Sequence, residues 1–233
     1  MLIRKSNERG HANHGWLDSY HSFSFANYYD PNWMGFSVLR VINEDFVSPN
    51  KGFGTHGHRD MEIITYMVSG ELTHKDSMGN VETLRAGEVQ RMTAGTGIQH
   101  SEYNASNSEP LHLLQIWIEP SELDLEPSYE DQLFTDAQKY NQWCLLASDE
   151  SHEGALKINQ NMELFAAKIS ERKQLDYSLM HKRCAYIHIV QGTVQVNQQQ
   201  LHVGDAALFM DGELIQVKAV EAAELLLFDL PPA

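Results

Sequence analysis

The chain has 233 residues, 42% hydrophobic and 9% aromatic, and carries a formal charge of −15 at pH 7, a composition that predicts one or two globular domains. Its seventeen basic residues are scattered, which argues against a general nucleic-acid binder and against adhesion to an anionic membrane, because both need clustered Lys and Arg. The two cysteines, Cys144 and Cys184, lack CxxC spacing, the first nine residues are too polar for a signal peptide, and no apolar run approaches the roughly 20 residues that span a bilayer. The expectation is a soluble cytoplasmic protein with two free thiols.

Residues 1–35 are rich in His and aromatics. The alternation His21-Ser22-Phe23-Ser24-Phe25 predicts a short strand, with a turn at Asp30-Pro31-Asn32. Residues 36–42 read as a strand closed by a polar turn, Asn43-Glu44-Asp45. Gly52-Phe53-Gly54 leads into His56-Gly57-His58, and residues 61–68 form an apolar, β-branched strand that ends at Gly70. A hairpin follows, turning at Asp76-Ser77-Met78-Gly79-Asn80. After the turn Ala86-Gly87-Glu88, residues 89–92 form a strand. Gly95-Thr96-Gly97 then leads to His100-Ser101-Glu102, and residues 111–118 form another strand before Pro120. Short strands punctuated by Gly and Asx turns indicate an all-β sandwich or barrel. Residues 119–138 hold seven acidic residues and no Lys or Arg, and read as a solvated connection.

The second half repeats the first. Residues 185–192 echo the strand ending at Gly70, residues 203–209 echo 86–92, and residues 224–231 echo the strand ending at Pro120, at an offset of about 111–122 residues. The predicted organisation is therefore a barrel over 1–120, a connection over 121–140 and a second barrel over 141–233. The second half has no HxH and nothing resembling His-x-Glu, so the chemistry is expected in the first.

Each of the two triplets places ligand-type side chains at i and i+2, on one face of a strand. If the strands pair, opposed Cβ atoms lie only about 4.5–5.5 Å apart, and three imidazoles and one carboxylate can converge. Nitrogen and carboxylate donors without thiolates suit a divalent transition metal better than a structural zinc. A single HxH is more often incidental. The combination with Glu62, a Gly-rich turn and a second His-containing triplet is a stronger signal.

The stretches 52–66 and 92–104 resemble the cupin signature, and more closely the pirin family; residues 36–43, Asp76-Ser77-Met78-Gly79-Asn80 and the terminal Leu230-Pro231-Pro232 are similar to pirins too. The resemblance spans essentially the whole chain. Departures from the general cupin pattern are Asn50 in place of a leading Gly, one extra residue between Glu62 and Gly70, and Thr93 where Pro is usual. The resemblance implies a bicupin of two double-stranded β-helix (jelly-roll) barrels. It implies His56, His58, His100 and Glu102 as ligands of one divalent metal per chain, usually iron, with Ni, Cu, Mn, Co or Zn as alternatives. In generic cupins the Glu after HxH is a ligand, but Glu62 lies about 13 Å past His58 along an ideal strand and would need a bulge to reach. It is expected in a second-shell or structural role.

The implied activity is dioxygenation of a quercetin-type flavonol at its 2,3 bond with release of carbon monoxide, with flavonol and dioxygen as substrates and Glu102 as the base. The alternative is a metal-dependent regulatory pirin that binds a protein partner without catalysis. A monomer is expected. Of the other histidines, His112 is expected to be packed or hydrogen-bonded, His74 exposed in its hairpin, and His11, His14 and His21 at the surface, with an approach to the mouth of the barrel as the alternative. His152, His181, His188 and His202 belong to the half without a site. Phe53, Met61 and Trp33 are expected in the core, with the lining of an apolar pocket as the alternative.

Overall fold

A computed structural model describes residues 1–149 and 154–232; His152 lies outside them. Among the described residues the regular structure is almost entirely β, with one short α-helix, Asp136–Lys139, and one 3-10 turn, Ser6–Glu8. The first seven-stranded sheet runs, edge to edge, Ser128–Leu133, Glu88–Thr93, Glu62–Ser69, Leu111–Ile118, Leu39–Val47, Leu17–His21 and Gly10–Asn13. The second runs Leu2–Arg4, Ala206–Phe209, Cys184–Gln191, Ala223–Leu230, Glu163–Ile169, Cys144–Ser148 and Leu156–Lys157. Each is completed by a four-stranded sheet: Gly52–His58, Ile98–Asn104, Glu71–Asp76 and Val81–Arg85 in the first half, and Gln174–Ser178, Leu214–Ala219, Thr193–Val196 and Gln199–His202 in the second.

The repeat seen in the sequence is thus a repeat of strand order. Gly70 and Gly192 end matching strands at φ of +85° and +79°, and a Cβ on Gly192 would stand 2.1 Å from the Ala222 carbonyl oxygen, so this turn needs glycine in both halves. The halves also exchange strands. Leu2–Arg4 pairs with Ala206–Phe209 of the second, and Ser128–Leu133, from the acidic stretch, pairs with Glu88–Thr93 of the first. The acidic stretch is therefore partly a sheet edge. Nor do Asn43, Glu44 and Asp45 form a turn: all three are buried within Leu39–Val47, where strands pair on both sides and satisfy the backbone.

Side-chain alternation then assigns every position of the first large sheet. Ile64, Tyr66, Leu114, Ile116 and Ile42 share one apolar core with Leu164, Ala166, Tyr186, Leu226 and Phe228 of the second large sheet, so the two sheets pack together. The intervening positions, Thr65, Gln90, Gln115 and Asn43 among them, point the other way, into the first barrel. Among the described residues no helix is long and apolar enough to cross a membrane.

Candidate metal centre

The strands Gly52–His58 and Ile98–Asn104 pair antiparallel with His100 opposite His56 and Ile98 opposite His58, which brings the three imidazoles together. The Nε2 atoms of His58 and His100 lie 2.9 Å apart, and those of His100 and His56 3.1 Å apart. His56 Nδ1 donates to the Gly54 carbonyl oxygen at 2.8 Å, which places its proton on Nδ1 and leaves the Nε2 lone pair facing the other two rings. Burial, reinforced by the neighbouring imidazoles, pushes His58 down to about 4 and His100 down to about 3. Both rings are neutral at neutral pH. Three convergent imidazole nitrogen donors without thiolates fit a divalent transition metal.

Between His100 and Glu102 the pairing slips by a residue, and Glu102 comes to lie opposite Phe53. The Glu102 carboxylate is buried and accepts from both sides: Gln90 Nε2 at 2.8 Å on Oε1 and Gln115 Nε2 at 2.9 Å on Oε2. Its oxygens group with the ring nitrogens of His100 and His74, all within 4.8 Å; the other such group is His56, His58 and His100. His100 therefore links the three imidazoles to the carboxylate.

His74 corrects an expectation. It is fully buried, sits opposite Glu102 on the neighbouring strand, stacks on Tyr129 with ring centres 4.7 Å apart, and has Nε2 3.3 Å from Asp76 Oδ2. Its hairpin is covered on one side by Ile98–Asn104, and the alternation that buries Leu72 buries His74 too. Glu62 belongs to the opposite face. It shares the register of Ile64 and Tyr66, and its carboxylate accepts from the backbone N–H of Asn159 at 3.2 Å and from Asn159 Nδ2 at 3.3 Å, joining the two halves. Of the two roles left open for Glu62, these contacts match the structural one.

A cavity of about 360 Å³ opens on His56, His58 and Glu102. The strand pair Gly10–Asn13 and Leu17–His21 forms one wall; His11 and His14 are exposed as expected and stand at the mouth, and all three of His11, His14 and His21 line the cavity. His21 is buried, with Nδ1 2.8 Å from Asn43 Oδ1. Phe25, Phe53 and Trp117 supply the aromatic lining. Asp45 also lines the cavity; burial pushes its carboxyl up to about 7, against the hydrogen bond from Ser19 and with the charges of Glu102 and Glu44. Trp33 packs under the Arg4 guanidinium and Met61 beside Ile63 and Met92. His112 bonds Glu44 at 3.0 Å and stacks on Phe46.

Inspection of the sequence missed a polar row. Gln90, Thr65, Gln115, Asn43 and His21 stand opposite one another on five consecutive strands, all facing the barrel interior. Part of the signal was present: Thr65 interrupts the apolar run 63–68 and Gln115 the apolar run 113–118, each at an inward position.

Two barrels on one plan, with convergent donors in the first, define a two-domain, metal-dependent cupin. Residues 3–118 match the family model described as Pirin, and residues 145–230 match a quercetinase C-terminal cupin domain. A protein of Escherichia coli K12 named quercetin 2,3-dioxygenase is 51% identical over 232 residues, 100% of this chain and 99% of its own. A pirin-like protein of Caulobacter vibrioides is 41% identical over 98% of this chain and 99% of its own. The crystal structure of the bacterial pirin YhhW from Escherichia coli in complex with nickel(II) matches with a TM-score of 0.95 and 49% identity, covering 100% of this chain and 99% of that one. The chain belongs to the pirin family.

Proposed function

We propose that the protein is a metal-dependent dioxygenase that opens the central ring of quercetin-type flavonols. The observation that carries this reading is the placement of three imidazoles and a clamped carboxylate at the end of a partly aromatic cavity of about 360 Å³. That volume falls in the range of roughly 300–1,000 Å³ usual for small-molecule sites. The names of the relatives as quercetin 2,3-dioxygenases supply the substrate class.

His56, His58 and His100, with Glu102 beside them, would hold the metal; when bound it supplies Lewis-acid and redox chemistry. Phe25, Phe53 and Trp117 offer aromatic faces to a planar substrate and exclude water from it. Glu102 takes the proton of the flavonol 3-hydroxyl on a carboxylate oxygen, and its amide partners hold that oxygen in place while the proton moves. The electron-rich flavonolate is then oxidised by dioxygen, which is incorporated as the ring opens and carbon monoxide is released.

Iron is the metal implied by the family resemblance, and nickel is the ion in the related structure. The reading includes a cytoplasmic, monomeric protein, for which the two free thiols and acidic surface are the support. The test is aerobic incubation of protein loaded in turn with Fe, Ni, Cu, Co and Mn with quercetin. Loss of flavonol absorbance with stoichiometric carbon monoxide is expected for at least one metal; no turnover with any of them removes the reading and leaves the regulatory one.

A further inference from the structure

We propose that Gln90 and Gln115 are positioning residues that fix the Glu102 carboxylate beside the three imidazoles, and that Tyr129 locks Gln90 in the orientation required. The proposal rests on the reading that Glu102 serves the metal.

Each oxygen of Glu102 accepts one amide N–H, from Gln90 at 2.8 Å and from Gln115 at 2.9 Å. The amides cannot turn over without loss, because their other ends are held. Tyr129 Oη donates to Gln90 Oε1 at 3.2 Å, and Thr65 Oγ1 donates to Gln115 Oε1 at 3.1 Å while accepting from Gln90 Nε2 at 2.8 Å. A flipped amide would set its own oxygen against the carboxylate. The clamp is therefore closed on both sides: Glu102, Gln90, Thr65 and Gln115 form a ring of hydrogen bonds, with Tyr129 outside it. A carboxylate offers about four lone-pair positions; the amides use two and Thr65 Oγ1 stands 3.4 Å from Oε1, which leaves room for a cation or a proton.

Packing alone does not call for these amides. The corresponding row of the second barrel is Ala207, Ile187 and Leu227, in the same strand order and register, and it fills the same space with hydrocarbon. Burying two amides in the first barrel is favourable only because each finds its partners, so the row is built for the carboxylate above it. Tyr129 comes from the acidic stretch, whose strand Ser128–Leu133 is added at the sheet edge next to Gln90. Its ring also lies flat on His74. One face of that tyrosine thus packs against the site while its hydroxyl sets the clamp.

The test uses no flavonol. Nickel(II) affinity of the full-length apoprotein is measured by calorimetry for Gln90→Leu, Gln115→Leu and Tyr129→Phe, with Glu102→Ala as reference, and the visible spectrum of each cobalt(II)-loaded protein is recorded. Loss of an outer partner of a metal ligand costs about 10–100-fold in affinity, so a weakening of that size is expected for both glutamine variants, together with a changed cobalt spectrum. Tyr129→Phe removes a single oxygen, keeps the fold if a leucine variant does not, and is expected to give a smaller change in the same direction. Wild-type affinity and an unchanged cobalt spectrum in all folded clamp variants, or no effect of Glu102→Ala itself, overturns the proposal. Failure of quercetin turnover with the clamp effect intact would instead count against the proposed reaction alone.

Discussion

The two barrels share strand order, turn glycines and register, yet one row of side chains separates them. Across the first large sheet the row reads Gln90, Thr65, Gln115, Asn43, His21; across the second it reads Ala207, Ile187, Leu227, Phe165, Leu145. The first row faces a cavity with metal-type donors; the second faces a packed cluster of aliphatic and aromatic side chains. The scaffold alone therefore does not make a site. A polar floor and the donor arms occur together, and where the arms are missing the floor has become hydrocarbon.

The largest expected effect comes from removing the shared donor. His100→Ala, which takes away the ring central to both donor groups, is expected to abolish stoichiometric metal uptake by elemental analysis and to leave the β-sheet circular dichroism intact. Retained metal would mean that the first barrel is not distinguished by these arms.

Next is the converse change in the second barrel. Leu227→Gln places an amide in a row with no polar neighbour, and is expected to destabilise the protein by about 2–4 kcal/mol in denaturant unfolding. A neutral result would break the argument that the floors differ because only one of them has hydrogen-bond partners.

Glu62→Ala sharpens the comparison at the seam between the halves. It strips the Asn159 backbone N–H of its acceptor, while Nδ2 keeps Thr93 Oγ1, and is expected to lower stability by about 1–3 kcal/mol with metal content unchanged. Loss of metal would return Glu62 to the site.

The smallest effect concerns acid. His188, on the face joining the sheets, is fully buried; burial, reinforced by Arg9, pushes it down to about 4, and neither ring nitrogen has a hydrogen-bond partner. A histidine neutral in the fold but free to charge when unfolded supports stability above about pH 6.5, and that support is lost as the pH falls towards 4. Relative to wild type, His188→Phe is therefore expected to gain stability on acidification, by on the order of 1 kcal/mol per pH unit across that window. Parallel pH profiles for the two proteins would contradict the assignment.

Much of this was legible in the sequence, for identifiable reasons. Period-two patterning and turn glycines revealed two barrels, because one face of every strand must be buried. The i, i+2 triplets marked His56 and His58 on one strand, and His100 and Glu102 on another, as candidate donors. What escaped was what depends on pairing between distant strands. His74 reads as a hairpin residue until its neighbour across the sheet is known to be Glu102. His21 becomes a buried cavity wall only because Gly10–Asn13 and Leu17–His21 extend the sheet edge. Tyr129 lies in a stretch whose acidity suggested a solvated connection, although that stretch contains a paired strand. Glu62 was decidable in principle: counting parity from Ile64 and Tyr66 puts it on the far face.

The most direct test of the difference between the barrels is a crystal structure of the nickel-loaded protein with anomalous data collected at the nickel edge. The account predicts one peak per chain, bounded by the Nε2 atoms of His56, His58 and His100 and by the Glu102 carboxylate. A peak in the second barrel, or one held by His74 and Glu102 without His56 and His58, would contradict it.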